Sequence, residues 1–177
     1  MIEIVNPRTG QRMTFVGESP DCLEIESVNP PTNLPEPEHV HPTQESGCRV
    51  TSGVLRFSVS GAERAVRAGE SITIPANTPH FFWNNGTEDA YAVQWFRPAL
   101  KTRTFFETLF ALAQDGKLDA KGMPSALQIA AMIPFFADEI RPTRPPWALQ
   151  RAVGAVLGPV ARRRGYRAVY RQPPASP

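Results

Sequence analysis

The chain has 177 residues, 41% hydrophobic and 20% charged, which suits one ordinary globular domain with an appendage and excludes a fully disordered or disulfide-stapled miniature. Its start, MIEIVNPRTG, lacks the basic and apolar regions of a signal peptide, and no apolar run approaches the roughly 18 residues of a membrane span. A cytoplasmic protein is therefore expected, with Cys22 and Cys48 as free thiols and a single disulfide as the alternative. The net charge of +2 hides an asymmetry: residues 141–171 carry eight arginines and no acid, leaving 11 basic against 17 acidic residues elsewhere, an acidic body with a basic tail.

Residues 1 to 98 read as β structure. IEIV, QRMTFV and CLEIESV are short, partly alternating runs separated by Pro, Gly, Asn and Ser. The stretch from Cys48 to Ala76 continues the pattern with Gly53, Gly61 and Gly69 at its turns, and HFFWNNGTEDAYAVQWFRP adds two strands around an NNG turn. About eight closely spaced strands predict a closed barrel or jelly roll. On the period-2 rule Leu55, Phe57 and Val59 line it, and Phe82 and Asn84 share the face of His80.

Helical spacing begins after Pro98. Phe105, Leu109, Leu112 and Ala113 share one face, with Gly116 as the C-terminal stop. Pro124 and Ser125 open a second helix that Pro134 should kink or split. A third places Leu149, Val153, Val156 and Val160 on one face, the expected packing face, with Pro159 ending or bending it early. Residues 99–170 are read as a helical extension packed on the barrel or on a dimer partner, its arginines meeting the acidic body, and 171–177 as a disordered tail. The basic end and Trp147 also fit a membrane-surface helix, the less favoured reading, and no nucleic-acid-binding signature accompanies the charge.

The chemistry lies in the three histidines of the chain, His39, His41 and His80. His39 and His41, two apart on an extended segment, project to one side, and His80 follows on a later strand that can lie opposite. Three neutral imidazoles suit one divalent transition metal: Fe, Mn, Ni, Cu or Zn.

These residues resemble the two cupin motifs, roughly G-x5-H-x-H-x(3,4)-E-x6-G and G-x5-P-x-G-x2-H-x3-N. The second reads here Gly69, Pro75, Asn77, His80, Asn84, with Asn77 in place of one glycine; Asn tolerates the left-handed conformation. Fifteen residues separate Gly53 from Gly69, similar to compact microbial cupins. The resemblance covers about residues 30–98 and implies an all-β double-stranded β-helix (a jelly-roll barrel), here with an α-helical C-terminal extension. It also implies a small-molecule site, and a homodimer is expected.

The first motif departs from the family. Counting from His41 and from Gly53 both place the family glutamate at Ser46; Glu45 fits only the shorter spacing. If Ser46 faces inward, so do Cys48 and Val50, while Glu45, Gly47, Arg49 and Thr51 face out. An inward Glu45 would bring Arg49 with it unless a bulge near Gly47 broke the alternation. The alternative carboxylate of pirins, an H-x-E in the second motif, is replaced by Phe82. The set favoured is thus His39, His41 and His80, with Glu45 as a possible fourth ligand and Gln44 and Cys48 as outside candidates. Ser46, Cys48, Phe57, Phe82 and Asn84 line the pocket. Cupins with three-histidine sites include thiol dioxygenases and a β-diketone dioxygenase, so the resemblance implies a metalloenzyme of dioxygenase type. The alternatives are a non-catalytic binding or sensor cupin, or a non-redox isomerase or lyase.

Overall fold

A computed structural model describes residues 3–32 and 35–170; the expected disordered tail, 171–177, lies outside the described residues. Ten strands precede the first helix: β1 (Glu3–Val5), β2 (Arg12–Ser19), β3 (Cys22–Asn29), β4 (His39–Val40), β5 (Glu45–Ser52), β6 (Val54–Val59), β7 (Ala62–Arg67), β8 (Ser71–Ile74), β9 (His80–Trp83) and β10 (Ala90–Arg97). Then come α1 (Thr102–Gln114), α2 (Ala126–Met132), β11 (Arg141–Pro142) and α3 (Trp147–Arg163). The all-β class thus applies to the barrel, and the helices lie in the C-terminal extension.

The strands form two antiparallel sheets, ordered β1-β2-β3-β10-β5-β8 and β11-β4-β9-β6-β7. Their inner faces meet in a core of Cys48, Val50, Leu55, Phe57, Val66, Ile72 and Ile74, which alternate along their strands with outward polar residues. A second core, Met13, Phe15, Leu23, Ile25 and Phe96, is closed by Phe106, Leu109 and Phe110 of α1.

The helix ends follow the sequence signals. Gly116 adopts φ +65°; its N–H donates to the Ala113 carbonyl and that of Lys117 to the Leu112 carbonyl, a Schellman arrangement that satisfies the open end of α1. Ser125 caps α2, its Oγ accepting from the Gln128 N–H at 3.3 Å. α2 stops at Met132, ahead of Pro134.

Two expectations for α3 are corrected. Pro159 does not end the helix, which runs on to Arg163. The aliphatic stripe is also not its packing face. Leu149, Val156 and Val160 are exposed, Val156 by 70%, and the buried residues are Gln150, Gly154, Gly158 and Ala161. The physical reason is close approach. A Cβ on Gly154 would stand 3.2 Å from Ile133 Cγ2, and one on Gly158 would stand 3.5 Å from the Ala130 carbonyl oxygen. Small residues let α3 lie tight against α2, and that contact prevails over the longer aliphatic row.

Within one chain the tail arginines make no ion pair with the barrel among the described residues. Arg162, Arg163 and Arg164 form no ion pair among the described residues, and Arg141 pairs locally with Asp138 at 3.7 Å. No helix among those residues is long and apolar enough to cross a membrane.

The packing predicts opposite outcomes for neighbouring substitutions. In Gly154→Leu, overpacking of about 1–3 kcal/mol exceeds the gain of under about 1 kcal/mol in helix propensity. Val156→Gln, on the exposed stripe, should stay within about 0.5 kcal/mol of the parent in urea denaturation.

Candidate metal centre

Strand pairing brings the histidines together. β4 and β9 run antiparallel with His39 directly opposite His80, and His41 follows just after β4. The ring centroids lie 5.1 Å (His39–His41), 4.6 Å (His39–His80) and 5.1 Å (His41–His80) apart. One ring nitrogen from each falls within 4.8 Å of the others, and all three residues are buried.

Backbone carbonyls set the state of each ring. Nδ1 of His39 lies 2.9 Å from the Pro37 oxygen, Nδ1 of His41 lies 2.5 Å from that of Glu139, and Nδ1 of His80 lies 2.8 Å from that of Thr78. A carbonyl oxygen only accepts, so each Nδ1 carries the proton and each Nε2 keeps a free lone pair. Burial opposes ionisation of all three. It holds His39 well below the usual histidine range, helped by the neighbouring rings, takes His41 down to about 4, and lowers His80. Three neutral nitrogen donors at this spacing fit one divalent transition metal bonding at about 2.1 Å after small ring shifts.

The second-motif turn supports the first motif. Asn77 sits at φ +59°, the conformation for which a glycine is usual, and its N–H donates to the His41 carbonyl at 2.7 Å.

Glu45 is not among the converging groups. β5 pairs with β10 in unbroken register from Glu45 to Val50, with no bulge at Gly47, so the pleat turns Glu45 out, where it pairs with Arg97 at 3.7 Å. Gly47 shares that outer face under Trp95; a Cβ there would stand 2.0 Å from the indole.

Ser46, Cys48, Phe57 and Phe82 line a cavity of about 270 Å³ that contains the three histidines. Ser46 Oγ is buried without a partner. Burial raises the Cys48 thiol to about 12, so it stays protonated and serves as a small apolar group, not as a thiolate. Both cysteines are free.

Two expected site residues do other work. Asn84 lies one position past the end of β9 and outside the cavity lining. Its Nδ2 donates to the Asn29 and Glu88 carbonyls and its Oδ1 accepts from the Gly86 N–H, which ties down the turn. Gln44, fully buried, donates to the Pro98 carbonyl and to Thr102 Oγ1, joining the barrel to α1.

Sequence reasoning missed the contribution of the extension. β11 adds to the sheet beside β4, with Pro142 opposite His39, and Thr143 Oγ1 donates to Glu38 Oε1 at 2.7 Å. Glu139, just before β11, supplies the carbonyl that holds His41. Its carboxylate is buried, with Oε1 near Lys101 Nζ (3.4 Å) and Oε2 unpartnered. Glu36 also lines the cavity, its half-buried carboxyl raised to about 7 by desolvation.

Fold and site together define a two-sheet β-barrel protein with a buried cluster of three imidazoles facing an apolar cavity. Residues 27–96 match the cupin domain family. No curated protein matches the sequence. An RmlC-like cupin from Shewanella frigidimarina is 18% identical with a TM-score of 0.50, covering 57% of this chain and 87% of that one. KdgF from a Halomonas species is 18% identical with a TM-score of 0.49 over 53% and 85%. A cupin-superfamily sugar phosphate isomerase from Silicibacter pomeroyi is 20% identical with a TM-score of 0.46 over 51% and 61%. At 18% identity the likeness to the RmlC-like cupin is one of fold.

The buried rings give the metal-free protein a pH signature. Because their folded pKa values lie below the ordinary 6.5, the unfolded chain takes up more protons in the interval between. The contribution is complete above about pH 6.5 and is lost as pH falls toward 4, His41 alone accounting for up to about 3 kcal/mol. Urea midpoints of metal-free protein should drop steadily over that window, and less steeply in His41→Gln; an unchanged slope in that variant contradicts a buried neutral His41.

Proposed function

We propose that this chain is a small-molecule metalloenzyme of dioxygenase type, with one divalent transition metal held by His39, His41 and His80. The observation that carries this reading is the anchoring of three neutral imidazoles by backbone carbonyls, with one ring nitrogen of each within 4.8 Å of the others beside an apolar cavity. Three protein donors leave coordination positions free, and a redox-active metal there supplies the joint binding and activation of substrate and oxygen.

The chain's own residues supply the rest. Phe57, Phe82 and Phe96 exclude water from the histidines. Ser46 Oγ, buried and unpartnered where the family carboxylate is expected, is free to donate to a bound ligand. β11 fixes the outer edge of β4 and so the direction of His39 and His41. Glu45 stays with Arg97 on the outer face.

Protein purified without chelators, or reconstituted, should hold about one metal per chain by elemental analysis. His80→Ala and His41→Ala should lose it, while Glu45→Ala keeps it. Oxygen uptake is then followed with a panel of thiols, diketones and flavonols. No metal uptake on reconstitution overturns the whole reading. Metal uptake without oxygen consumption across the panel favours non-redox chemistry at the same site. Loss of metal in Glu45→Ala to the extent seen in His80→Ala would show that a carboxylate completes the site.

A further inference from the structure

The cavity does not end at the barrel. Beyond the histidines its wall passes to side chains of the extension, including Phe105, Phe106 and Leu109 of α1 and Ile129 and Met132 of α2. The rings form a continuous track from the site outward: His41 to Phe96 at 5.3 Å, Phe96 to Phe106 at 5.7 Å, and Phe106 to Phe110 at 6.4 Å. Phe105 meets Phe136 at 5.5 Å on the α2 side.

The aromatic stretch lies between two polar regions: the histidine end, and the part of the lining that carries Asn6, Arg8, Thr9, Gln11 and Lys121. Among the described residues, the buried, unpartnered side-chain atoms lining the cavity are Ser46 Oγ and Glu139 Oε2. Ser46 is the cross-strand neighbour of Phe96, and Glu139 carries the carbonyl that holds His41. A polyol or sugar placed along the aromatic track would leave hydroxyls without partners, at a cost of several kcal/mol. An alkyl or aryl body gains from the same burial. At roughly 30 Å³ for each water-sized group, the cavity has room for about nine carbon-sized groups.

We propose that the substrate is an elongated, largely apolar molecule: a carboxylate, enolate or thiolate head at the three histidines, followed by an alkyl or aryl body lying along α1 and α2. This rests on the metal-site reading for the placement of the head, while the body is argued from the cavity wall alone. The extension is thereby the element that determines which substrates the barrel accepts.

Straight-chain carboxylates from acetate to dodecanoate, titrated calorimetrically into zinc-loaded protein, test the proposal. Affinity should rise about fourfold per methylene and level off near nine carbons. Leu109→Trp on α1 and Ile129→Trp on α2 each narrow the track from a different helix. In either, the levelling should come several carbons earlier, with metal content unchanged. Affinity independent of chain length, or glucose 6-phosphate binding more tightly than octanoate, overturns the proposal. Metal content is measured on the same samples. If no zinc is taken up, the histidine reading fails by itself, and the chain-length slope on that metal-free protein still reports on the cavity.

Discussion

Three backbone carbonyls decide what the histidines are. Pro37, Thr78 and Glu139 each accept the Nδ1 proton of one ring, and with Nδ1 committed each Nε2 is a lone-pair donor whose direction is set by main chain. Side-chain partners would leave ring orientation to rotamers, whereas carbonyls in or beside paired strands leave little freedom. The direct opposition of His39 and His80 across β4 and β9 then fixes the distance between two of the rings. Burial supplies the remaining condition by keeping all three neutral.

One of those carbonyls comes from the extension, so barrel and helices are one functional unit. β4 has two residues and by itself is a weak support; β9 holds one side and β11 the other. In the chain β11 follows α1 and α2, of which α1 packs against Phe96 and the β1–β3 side of the barrel and α2 against α3. The same arrangement places the aromatic residues of α1 and α2 over the cavity. Site geometry and cavity wall therefore depend on the same segment of the chain.

Much of the barrel site was legible in the sequence because its signals are residue types at turns and fixed spacings. Gly53 and Gly69 adopt φ +79° and +87°, Asn77 takes the left-handed position at which a glycine was expected, and the pleat counted from Ser46 turns Glu45 outward. What escaped was carried by atoms without a sequence signature or by competition between faces. The carbonyl of Glu139 is a backbone group that any residue could supply. Asn84 keeps the period of β9 on paper, but the strand ends at Trp83 and the alternation no longer applies. In α3 the aliphatic row is real, yet hydrophobicity ranks faces by side chain while packing ranks them by approach, and glycines approach closest. The phenylalanines of α1 read as core because the sequence does not reveal a cavity behind them.

The outward turn of Glu45 has a chemical consequence for the proposed holoenzyme. A site of three imidazoles and one carboxylate lowers the charge of a divalent ion by one; three imidazoles alone leave it whole. In surroundings of low dielectric that difference is felt strongly by whatever occupies the open positions. The missing anionic donor is then best supplied by the ligand, which favours a carboxylate, enolate or thiolate over a neutral hydroxyl. The part of such a ligand that lies along α1 and α2 meets phenylalanine, leucine and isoleucine, where a second charge would be buried without a partner. One anionic end and one apolar body follow from the same two facts: where the strand turned its carboxylate, and which helices closed the barrel.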